Sequence, residues 1–335
     1  MKREFAERPL AGPDTPLLIE ACARELDLAG VAQNYLEHLR AQLAQHGALL
    51  FRGFAVTDVE QFDRLIAALT PDRLDCLYGS TPRQAVGNRI FTATDYPASQ
   101  EIPLHNEDAY QRQWPLKLAF CCLQPAAVGG ETPLADMRLL GRALGRDLLD
   151  LFEARGVRYV RHYHAGIDIP WQEVFGTDDQ DTLAQICAQR SIEHLWLPDR
   201  TLRTTQVCQG TARHPATGER VFFNQAHLFH VSSLGPELAQ AMARLFGADR
   251  LPRQACFGDG AEIPAACLAR IRTAFQQVTR TFPWCQGDVL VLDNMRYAHG
   301  RRPFQGTRRV LAALMELHVP QLAVTSQHIG HRKPQ

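Results

Sequence analysis

The sequence predicts an α+β fold in which short buried strands form the core and amphipathic helices flank it. Compact apolar segments bounded by glycine, proline or acidic residues have the length of core strands. Longer segments repeat their apolar residues at helical spacing. Apolar residues make up 45% of the 335 residues, which is enough for a substantial core.

Each element has its own local signal. Gly47 ends the first helix, Thr57 or Asp58 caps the second, and Pro71 follows its end. Residues 310–318 contain helix-favouring Ala, Leu and Met, but their context favours a strand. The other predicted strands are residues 47–54, 116–123 and 288–293, with short strands and turns between 155 and 231. The predicted helices are residues 31–46, 59–69, 136–152, 236–246 and 264–281.

Composition narrows the class of protein. No repeat or flexible linker divides the chain, so we expect one domain over residues 1–335, with residues 1–20 and 321–335 as loose termini. Lys+Arg and Asp+Glu balance at 36 each without a basic stripe, which argues against a nucleic-acid partner. We find neither a signal peptide nor a membrane span, and the nine cysteines lack a Cys-x-x-Cys motif. A cytoplasmic protein with reduced thiols is expected, and the oligomeric state stays open.

The segment His105-Asn106-Glu107 and the distant His299 suggest a metal site. A strand places residues i and i+2 on one face, so His105 and Glu107 point at a common spot that a returning strand completes with His299. Two imidazoles and one carboxylate on one side of a metal leave its other side free, as in non-haem Fe(II) oxygenases. Chance alone supplies about one such His-x-acid triplet in a chain of this composition, so the triplet needs support elsewhere.

That support comes from four segments in a fixed order. Together they resemble the TauD/TfdA-like family of Fe(II)/2-oxoglutarate-dependent dioxygenases, and within it the SyrP-like amino-acid hydroxylases. The resemblance runs from about residue 51 to residue 315 and implies a double-stranded β-helix (jelly-roll) core with flanking helices and an insertion covering the active site. The matching segments are residues 105–107, 129–133, 223–230, and 287–294 continuing to 299–301.

The resemblance also implies roles for single residues. His105, Glu107 and His299 correspond to the Fe(II) ligands, with Glu107 where many relatives have Asp. Its carboxylate argues against the halogenases of this superfamily, which lack it. Thr132 corresponds to the hydroxyl that binds the C5 carboxylate of 2-oxoglutarate.

An arginine shortly after the distal histidine completes that carboxylate site in the family. Arg308 has the usual offset and Arg309 a neighbouring one, so we favour Arg308 and keep Arg309 as the alternative. A guanidinium suits this role because two parallel charge-assisted hydrogen bonds fix a carboxylate. Ordinary surface ion pairs for these arginines, and a helix cap for Thr132, are the competing interpretations.

The implied reaction uses Fe(II), 2-oxoglutarate and O2 to hydroxylate an unactivated C–H bond, at Cβ of an amino acid, in natural-product or nonribosomal peptide biosynthesis. Aspartate is the favoured substrate, either free or tethered to a peptidyl carrier protein. We expect four polar residues to bind the carboxylate and amine of the substrate: Arg161, His162, Asn224 and Gln225. The alternative is that they form structural hydrogen bonds in loops.

Other functions remain as alternatives. Desaturation or sulfonate cleavage would use the same site. A cupin-type metal-dependent isomerase would use His162 and His164 instead, and His227 with His230 form another histidine pair, but neither pair has an acid at ligand spacing. A non-catalytic binding module is the remaining class.

Overall fold

A computed structural model describes residues 3–12, 15–23, 25–75, 83–94 and 96–320. The described helices are α1 (Leu28–Asn34), α2 (Leu36–His46), α3 (Val59–Leu69), α4 (Met137–Leu144), α5 (Arg146–Arg155), α6 (Trp171–Phe175), α7 (Gln180–Gln189), α8 (Ala226–Phe229), α9 (Pro236–Phe246) and α10 (Ala265–Val278). Two short 3-10 helices span Val231–Leu234 and Ala248–Arg250.

The strands of the same residues form a large sheet, two four-stranded sheets and two two-stranded sheets. They are β1 (Phe5–Pro9), β2 (Leu17–Ala21), β3 (Ala48–Arg52), β4 (Arg73–Leu74), β5 (Ala85–Gly87), β6 (Ile90–Thr92), β7 (Ile102–His105), β8 (Trp114–Gln124), β9 (Val128–Gly129), β10 (Leu134–Asp136), β11 (Val157–Tyr163), β12 (Glu193–Trp196), β13 (Leu202–Cys208), β14 (Thr211–Arg213), β15 (Arg220–Phe222), β16 (Arg253–Phe257), β17 (Thr279–Arg280), β18 (Val289–Asp293), β19 (Tyr297–Arg301), β20 (Phe304–Gln305) and β21 (Arg309–His318).

The major sheet has the order β1-β2-β3-β18-β8-β21-β6-β5, with β4 also paired to β21. Its central strands are buried on both faces, because Leu118, Phe120 and Cys122 of β8 join one apolar cluster and Ala119 and Cys121 join another. Side chains alternate across a strand, so an apolar run without polar positions is what such a doubly covered strand requires.

The minor sheet has the order β17-β10-β19-β7 and packs against the major sheet. Leu134 and Tyr297 of the minor sheet share a buried cluster with Phe120 and Leu290 of the major sheet. Two facing sheets of mainly antiparallel strands confirm the predicted jelly-roll core. A further sheet, β12-β13-β11-β16, packs with α4, α5, α7 and α10 in a separate apolar cluster at the side of this core.

Several predicted boundaries changed. The first predicted helix is divided at Tyr35 into α1 and α2, and the third is divided at Gly145, whose φ of 78° breaks the helical path. Helices α3 and α9 have the predicted bounds, and β21 confirms the strand predicted over residues 310–318. Asp58, rather than Thr57, caps α3 by accepting the backbone N–H of Gln61 at 2.8 Å.

The N-terminal expectation was wrong for the described part of residues 1–20. β1 and β2 lie in the major sheet, and β2 runs parallel to β3. Leu17, Leu18 and Ile19 are buried there, so apolar contacts and a strand ladder hold this segment. The predicted loose tail at 321–335 lies outside the described residues. No helix in the described part of the chain has the length and apolar character needed to cross a bilayer.

Candidate active site

Two strands of the minor sheet bring the two predicted histidine ligands together. β19 pairs antiparallel with β7 so that His299 lies directly opposite His105. Their ring centroids are 4.5 Å apart. β7 ends at His105, and a turn with Asp108 at φ 56° then places Glu107 beside both rings. The turn, rather than a continued strand, therefore provides the convergence expected from the i, i+2 spacing.

The three side chains have the geometry of a metal-binding group. Glu107 Oε2 lies 4.0 Å from His105 Nε2 and 3.7 Å from His299 Nε2. Each residue offers one ligand atom, and these atoms lie within 4.8 Å of one another. Within the described residues, this is the group of histidine, cysteine and acidic side chains that could hold a metal ion.

The hydrogen bonding of His105 also suits a metal ligand. His105 Nδ1 lies 2.9 Å from the carbonyl oxygen of Pro103. A carbonyl only accepts, so Nδ1 must donate, and the lone pair of a neutral ring is then on Nε2, which faces Glu107. A partner that fixes the tautomer in this way is typical of metal-bound histidine.

Electrostatics keeps two of the predicted ligands, Glu107 and His105, in the forms that bind metal. Burial alone would raise the pKa of Glu107, but Arg83, His299 and His105 together hold that pKa well below its usual value. Burial, helped by repulsion from His299, lowers the pKa of His105 to about 4. At neutral pH the carboxylate is therefore ionised and the His105 ring is neutral, as metal coordination requires.

Buried amides fix the loop that carries two of the predicted ligands, His105 and Glu107. Asn294 Oδ1 accepts the backbone N–H of Glu107 at 2.8 Å, and its Nδ2 donates to the carbonyls of Glu107 and Pro115 at 2.9 and 2.8 Å. Asn106 Nδ2 donates to the Asn294 carbonyl at 2.6 Å, and Gln225 Nε2 donates to the Asn106 carbonyl at 2.7 Å. The segment from His105 to Glu107 is therefore tied to Asn294, just after β18, and to Gln225 at the start of α8.

Replacing Asn294 with alanine is expected to lower the free energy of unfolding by about 3 kcal/mol, because a buried N–H and two buried carbonyls lose their partner. The same loosening of residues 105–107 should weaken Mn(II) binding. Urea unfolding and Mn(II) titration measure the two effects. Asn294→Asp keeps the acceptor for Glu107 N–H but turns a carboxylate oxygen towards the two carbonyls, so it should lose at least as much. Equal stability of Asn294→Ala and the wild type would contradict this assignment.

A cavity beside the metal-binding group contains the residues predicted to bind 2-oxoglutarate. Thr132 and Arg308 line it together with His105 and His299. The Thr132 hydroxyl oxygen accepts a hydrogen bond from Trp284 Nε1 at 3.0 Å, which leaves its own hydrogen able to donate to a ligand. Arg308 Nε donates to the Gly130 carbonyl at 2.9 Å. Burial lowers the pKa of Arg308 to about 10, so the guanidinium remains charged at neutral pH.

Arg309, the alternative candidate, lies outside the cavity that contains Arg308. It is exposed at the start of β21 and does not line this cavity, whereas Arg308 does. The placement favours Arg308 of the two candidates. The role of either residue towards 2-oxoglutarate stays a prediction.

Gly129 and Gly130 make room for neighbouring chain segments. Both have positive φ, at 70° and 74°. A Cβ at Gly129 would lie 2.2 Å from the Pro303 carbonyl oxygen, and one at Gly130 would lie 3.0 Å from Arg308 Cδ. These glycines therefore allow the close approach that positions Arg308.

Comparison with known proteins assigns the family. The model of the "Taurine catabolism dioxygenase TauD, TfdA family" matches residues 8–315, which is most of the chain. The chain belongs to the TauD/TfdA family. It is therefore a dioxygenase, as the resemblance of its motifs implied.

Two relatives support this assignment along nearly the whole sequence. The chain is 39% identical to the dapdiamide synthesis protein DdaC of Enterobacter agglomerans over 318 residues, which covers 94% of this chain and 96% of that protein. It is 30% identical to the clavaminate synthase-like protein At3g21360 of Arabidopsis thaliana over 293 residues, covering 84% of each.

Solved structures agree on the fold. PvcB, described as an Fe, alpha-ketoglutarate dependent oxygenase from an isonitrile synthetic pathway, has a TM-score of 0.53 at 17% identity and covers 94% of this chain and 92% of its own. AAD-2, solved with Mn(II) and N-oxalylglycine, has a TM-score of 0.55 at 12% identity and covers 93% and 97%. The predicted dependence on iron and 2-oxoglutarate agrees with the family match and with the metal-binding geometry.

The four residues predicted to contact substrate have structural partners. Asn224 Nδ2 donates to the Gly210 carbonyl at 2.6 Å, and Gln225 holds Asn106 as described. Arg161 is buried 3.6 Å from Asp168, and His162 Nδ1 lies 2.9 Å from the Leu251 carbonyl. None of the four is among the described residues that line the cavity at the metal-binding group. Their contact with substrate stays a prediction.

The other histidines are held by backbone or hydroxyl groups. His164 Nε2 lies 2.8 Å from the Arg250 carbonyl, and His227 Nε2 lies 3.1 Å from the Leu104 carbonyl. His230 Nδ1 lies 2.8 Å from the Ser232 hydroxyl. In the part of the chain that the structure describes, neither histidine pair belongs to a potential metal group. This geometry disfavours the cupin-type isomerase centred on His162 and His164.

The sequence analysis assigned no site role to several residues of the cavity wall. Arg83, Thr94 and Phe120 line it with the residues already named. Phe120 lies against His299 with ring centroids 5.0 Å apart, and its position in the predicted core strand 116–123 gave a usable signal. Arg83 and Thr94 precede the segment 105–107, and no local sequence pattern distinguishes them from ordinary polar surface residues.

Proposed function

We propose that this dioxygenase uses Fe(II), 2-oxoglutarate and O2 to hydroxylate an unactivated C–H bond of an amino acid or an amino-acid derivative. The carbon we expect to react is Cβ, and aspartate is the first candidate substrate. The observation that supports the proposal best is the juxtaposition of His105, Glu107 and His299 with a cavity that contains Thr132 and Arg308.

The residues of this site would have two roles, metal binding and orientation of 2-oxoglutarate. His105, Glu107 and His299 would hold Fe(II) and leave the other positions of the ion to 2-oxoglutarate and O2. Bound Fe(II) would activate O2, which is the oxidant: one of its oxygen atoms enters the substrate C–H bond and the other leaves in succinate as 2-oxoglutarate loses CO2. Arg308 and Thr132 would orient 2-oxoglutarate by its far carboxylate, the first through charge and paired N–H groups and the second through its hydroxyl.

The wall of the cavity decides which substrate atom is exposed to oxidation. Phe120 packs against His299, and Ile102 and Val310 add further apolar groups to the wall. Such groups exclude water and fix the position of a small molecule relative to the metal-binding group. Protein side chains therefore contribute geometry to the reaction.

A role in natural-product biosynthesis is supported by the relative DdaC, whose name refers to dapdiamide synthesis. The 39% identity spans nearly the full length of both proteins, so the comparison covers every residue proposed for the site. A substrate tethered to a peptidyl carrier protein fits the same role. Free and carrier-bound forms of the substrate are two arms of the experiment.

The test is turnover by anaerobically Fe(II)-loaded protein given 2-oxoglutarate, air and a panel of free and carrier-bound amino acids, aspartate included. We expect succinate and a product heavier than its substrate by one oxygen, in equal amounts. Omitting 2-oxoglutarate should stop both. A product lighter by two hydrogens would indicate desaturation, and sulfite release would indicate sulfonate cleavage. Conversion without succinate would favour an isomerase, and absence of Fe(II) binding would favour a binding module.

A further inference from the structure

Helix α9 presents an apolar stripe that no described part of the chain covers. Leu238 and Leu245 are 46% and 68% exposed, and Ala241 between them is also exposed; these three residues are called the α9 stripe. No residue of the helix, Pro236–Phe246, is buried. Leu234, just before the helix, is a further leucine with 44% exposure. A continuous exposed stripe of this kind indicates an interaction surface.

The face of α9 that contacts the rest of the protein is a different one. Ala239, Ala243 and Phe246 are half-buried, and the Phe246 ring stacks on His164 with ring centroids 4.3 Å apart. With 3.6 residues per turn, this face lies roughly a third of a turn away from the α9 stripe. The contacts that hold α9 on the protein therefore leave the stripe open for a partner.

The α9 stripe has the spacing of a coiled-coil seam. Leu238, Ala241 and Leu245 follow the three-four spacing of the a and d positions of a heptad. Glu237 and Arg244 each precede one of the leucines, so both are g positions on the same edge of the stripe. Both are exposed. Charged residues at such positions pair across a coiled coil and set the choice and orientation of the partner.

A second copy of this chain matches the pattern when its α9 runs antiparallel. A two-fold axis near residue 240 brings Glu237 level with Arg244 of the second copy, and the reciprocal pair forms on the other side of the axis. The same register sets Leu238 against Ala241 of the second copy and Leu245 against Leu234. A parallel arrangement would lose both ion pairs. The surface is thus complementary to itself in charge and in side-chain size, as a two-fold interface requires.

We propose that the α9 stripe is a homodimer interface in which the α9 helices of two copies pack antiparallel. The helix is only about 17 Å long, so the contact is small and the dimer is weak, with a dissociation constant of about 10 to 100 µM. No residue of α9 is among the described residues that line the cavity at the metal-binding group. The inference is therefore independent of the proposed function.

Sedimentation velocity of the full-length protein, from about 1 to about 300 µM, measures the dimer. We expect the wild type to pass from monomer to dimer across this range. Leu245→Glu should stay monomeric, because it would place a charge in the apolar seam. The matched control is Leu317→Glu, which changes a leucine with 47% exposure on β21 and should dimerise as the wild type does.

Charge reversal tests the antiparallel register. Glu237→Arg and Arg244→Glu should each weaken self-association at least about tenfold, because either change lines the interface with charges of one sign. An equimolar mixture of these two variants should dimerise again, since every pair across the mixed interface then has opposite signs. All three substituted α9 positions are exposed, so thermal unfolding should be unchanged.

Three results would each overturn the proposal. The first is a wild type that stays monomeric over the whole concentration range, which would assign the α9 stripe to another protein. The second is a Leu245→Glu variant that dimerises as the wild type does. The third is a mixture of Glu237→Arg and Arg244→Glu that associates no better than either variant alone.

Discussion

Replacing Glu107 with alanine is expected to abolish succinate formation and to weaken Mn(II) binding by at least about a hundredfold. The substitution removes the one carboxylate of the metal-binding group. It also leaves Arg83, with a side chain only 6% exposed, as a cation beside the two imidazoles. Loss of an anionic ligand next to a cationic side chain disfavours a divalent ion.

Mn(II) titration followed by electron paramagnetic resonance measures the effect on the metal, and succinate assays measure turnover. Glu101→Ala is the matched control, because Glu101 is nearly half exposed and pairs with Arg302 at 2.8 Å on the surface. That variant should behave as wild type. Glu107→Asp keeps the charge that many relatives supply with Asp and should retain part of the metal affinity. Normal Mn(II) binding by folded Glu107→Ala would contradict the ligand assignment.

Replacing Arg308 with methionine is expected to weaken 2-oxoglutarate binding by about a hundredfold, which corresponds to about 3 kcal/mol for a lost charge-assisted pair. Methionine keeps most of the apolar stem, whose Cδ lies near Gly130, so the loss reports the guanidinium. Metal affinity should change little, because Arg308 is not a member of the metal-binding group. The concentration of 2-oxoglutarate needed for half-maximal succinate formation should rise accordingly.

Arg309→Met is the matched control for this prediction. The two arginines are adjacent, but Arg309 is exposed at the start of β21 and Arg308 lines the cavity. Calorimetric titration of N-oxalylglycine into the Mn(II)-loaded variants separates them. If Arg309→Met loses affinity and Arg308→Met does not, Arg309 is the anchor of 2-oxoglutarate.

Local signals in the sequence predicted much of the scaffold. Gly47 at φ 76° ends α2, and Asp58 caps α3, because both positions depend on the chemistry of one or two neighbouring residues. The breaks at Tyr35 and Gly145 were missed, since the apolar spacing continues across both. β1 and β2 were also missed, because their burial depends on a distant strand, β3.

The candidate site shows the same difference between residues with a local sequence signal and residues that act through long-range contacts. His105, Glu107 and His299 belong to short motifs whose order is typical of a family, and the resemblance therefore pointed to all three. Asn294 and Arg83 act across 187 and 24 positions of the chain, and neither contact has a pattern in the sequence. Arg161, His162, Asn224 and Gln225 were chosen for their polarity, but polar residues also satisfy buried backbone groups, as Asn224 and Gln225 do here.

The most direct measurement of the central claim is anomalous diffraction from a crystal of the protein grown with Mn(II) and N-oxalylglycine. We expect one strong manganese peak at coordination distance from His105 Nε2, a Glu107 carboxylate oxygen and His299 Nε2, with N-oxalylglycine reaching towards Arg308. A peak at another group of side chains, with the space between these three residues empty, would contradict the account.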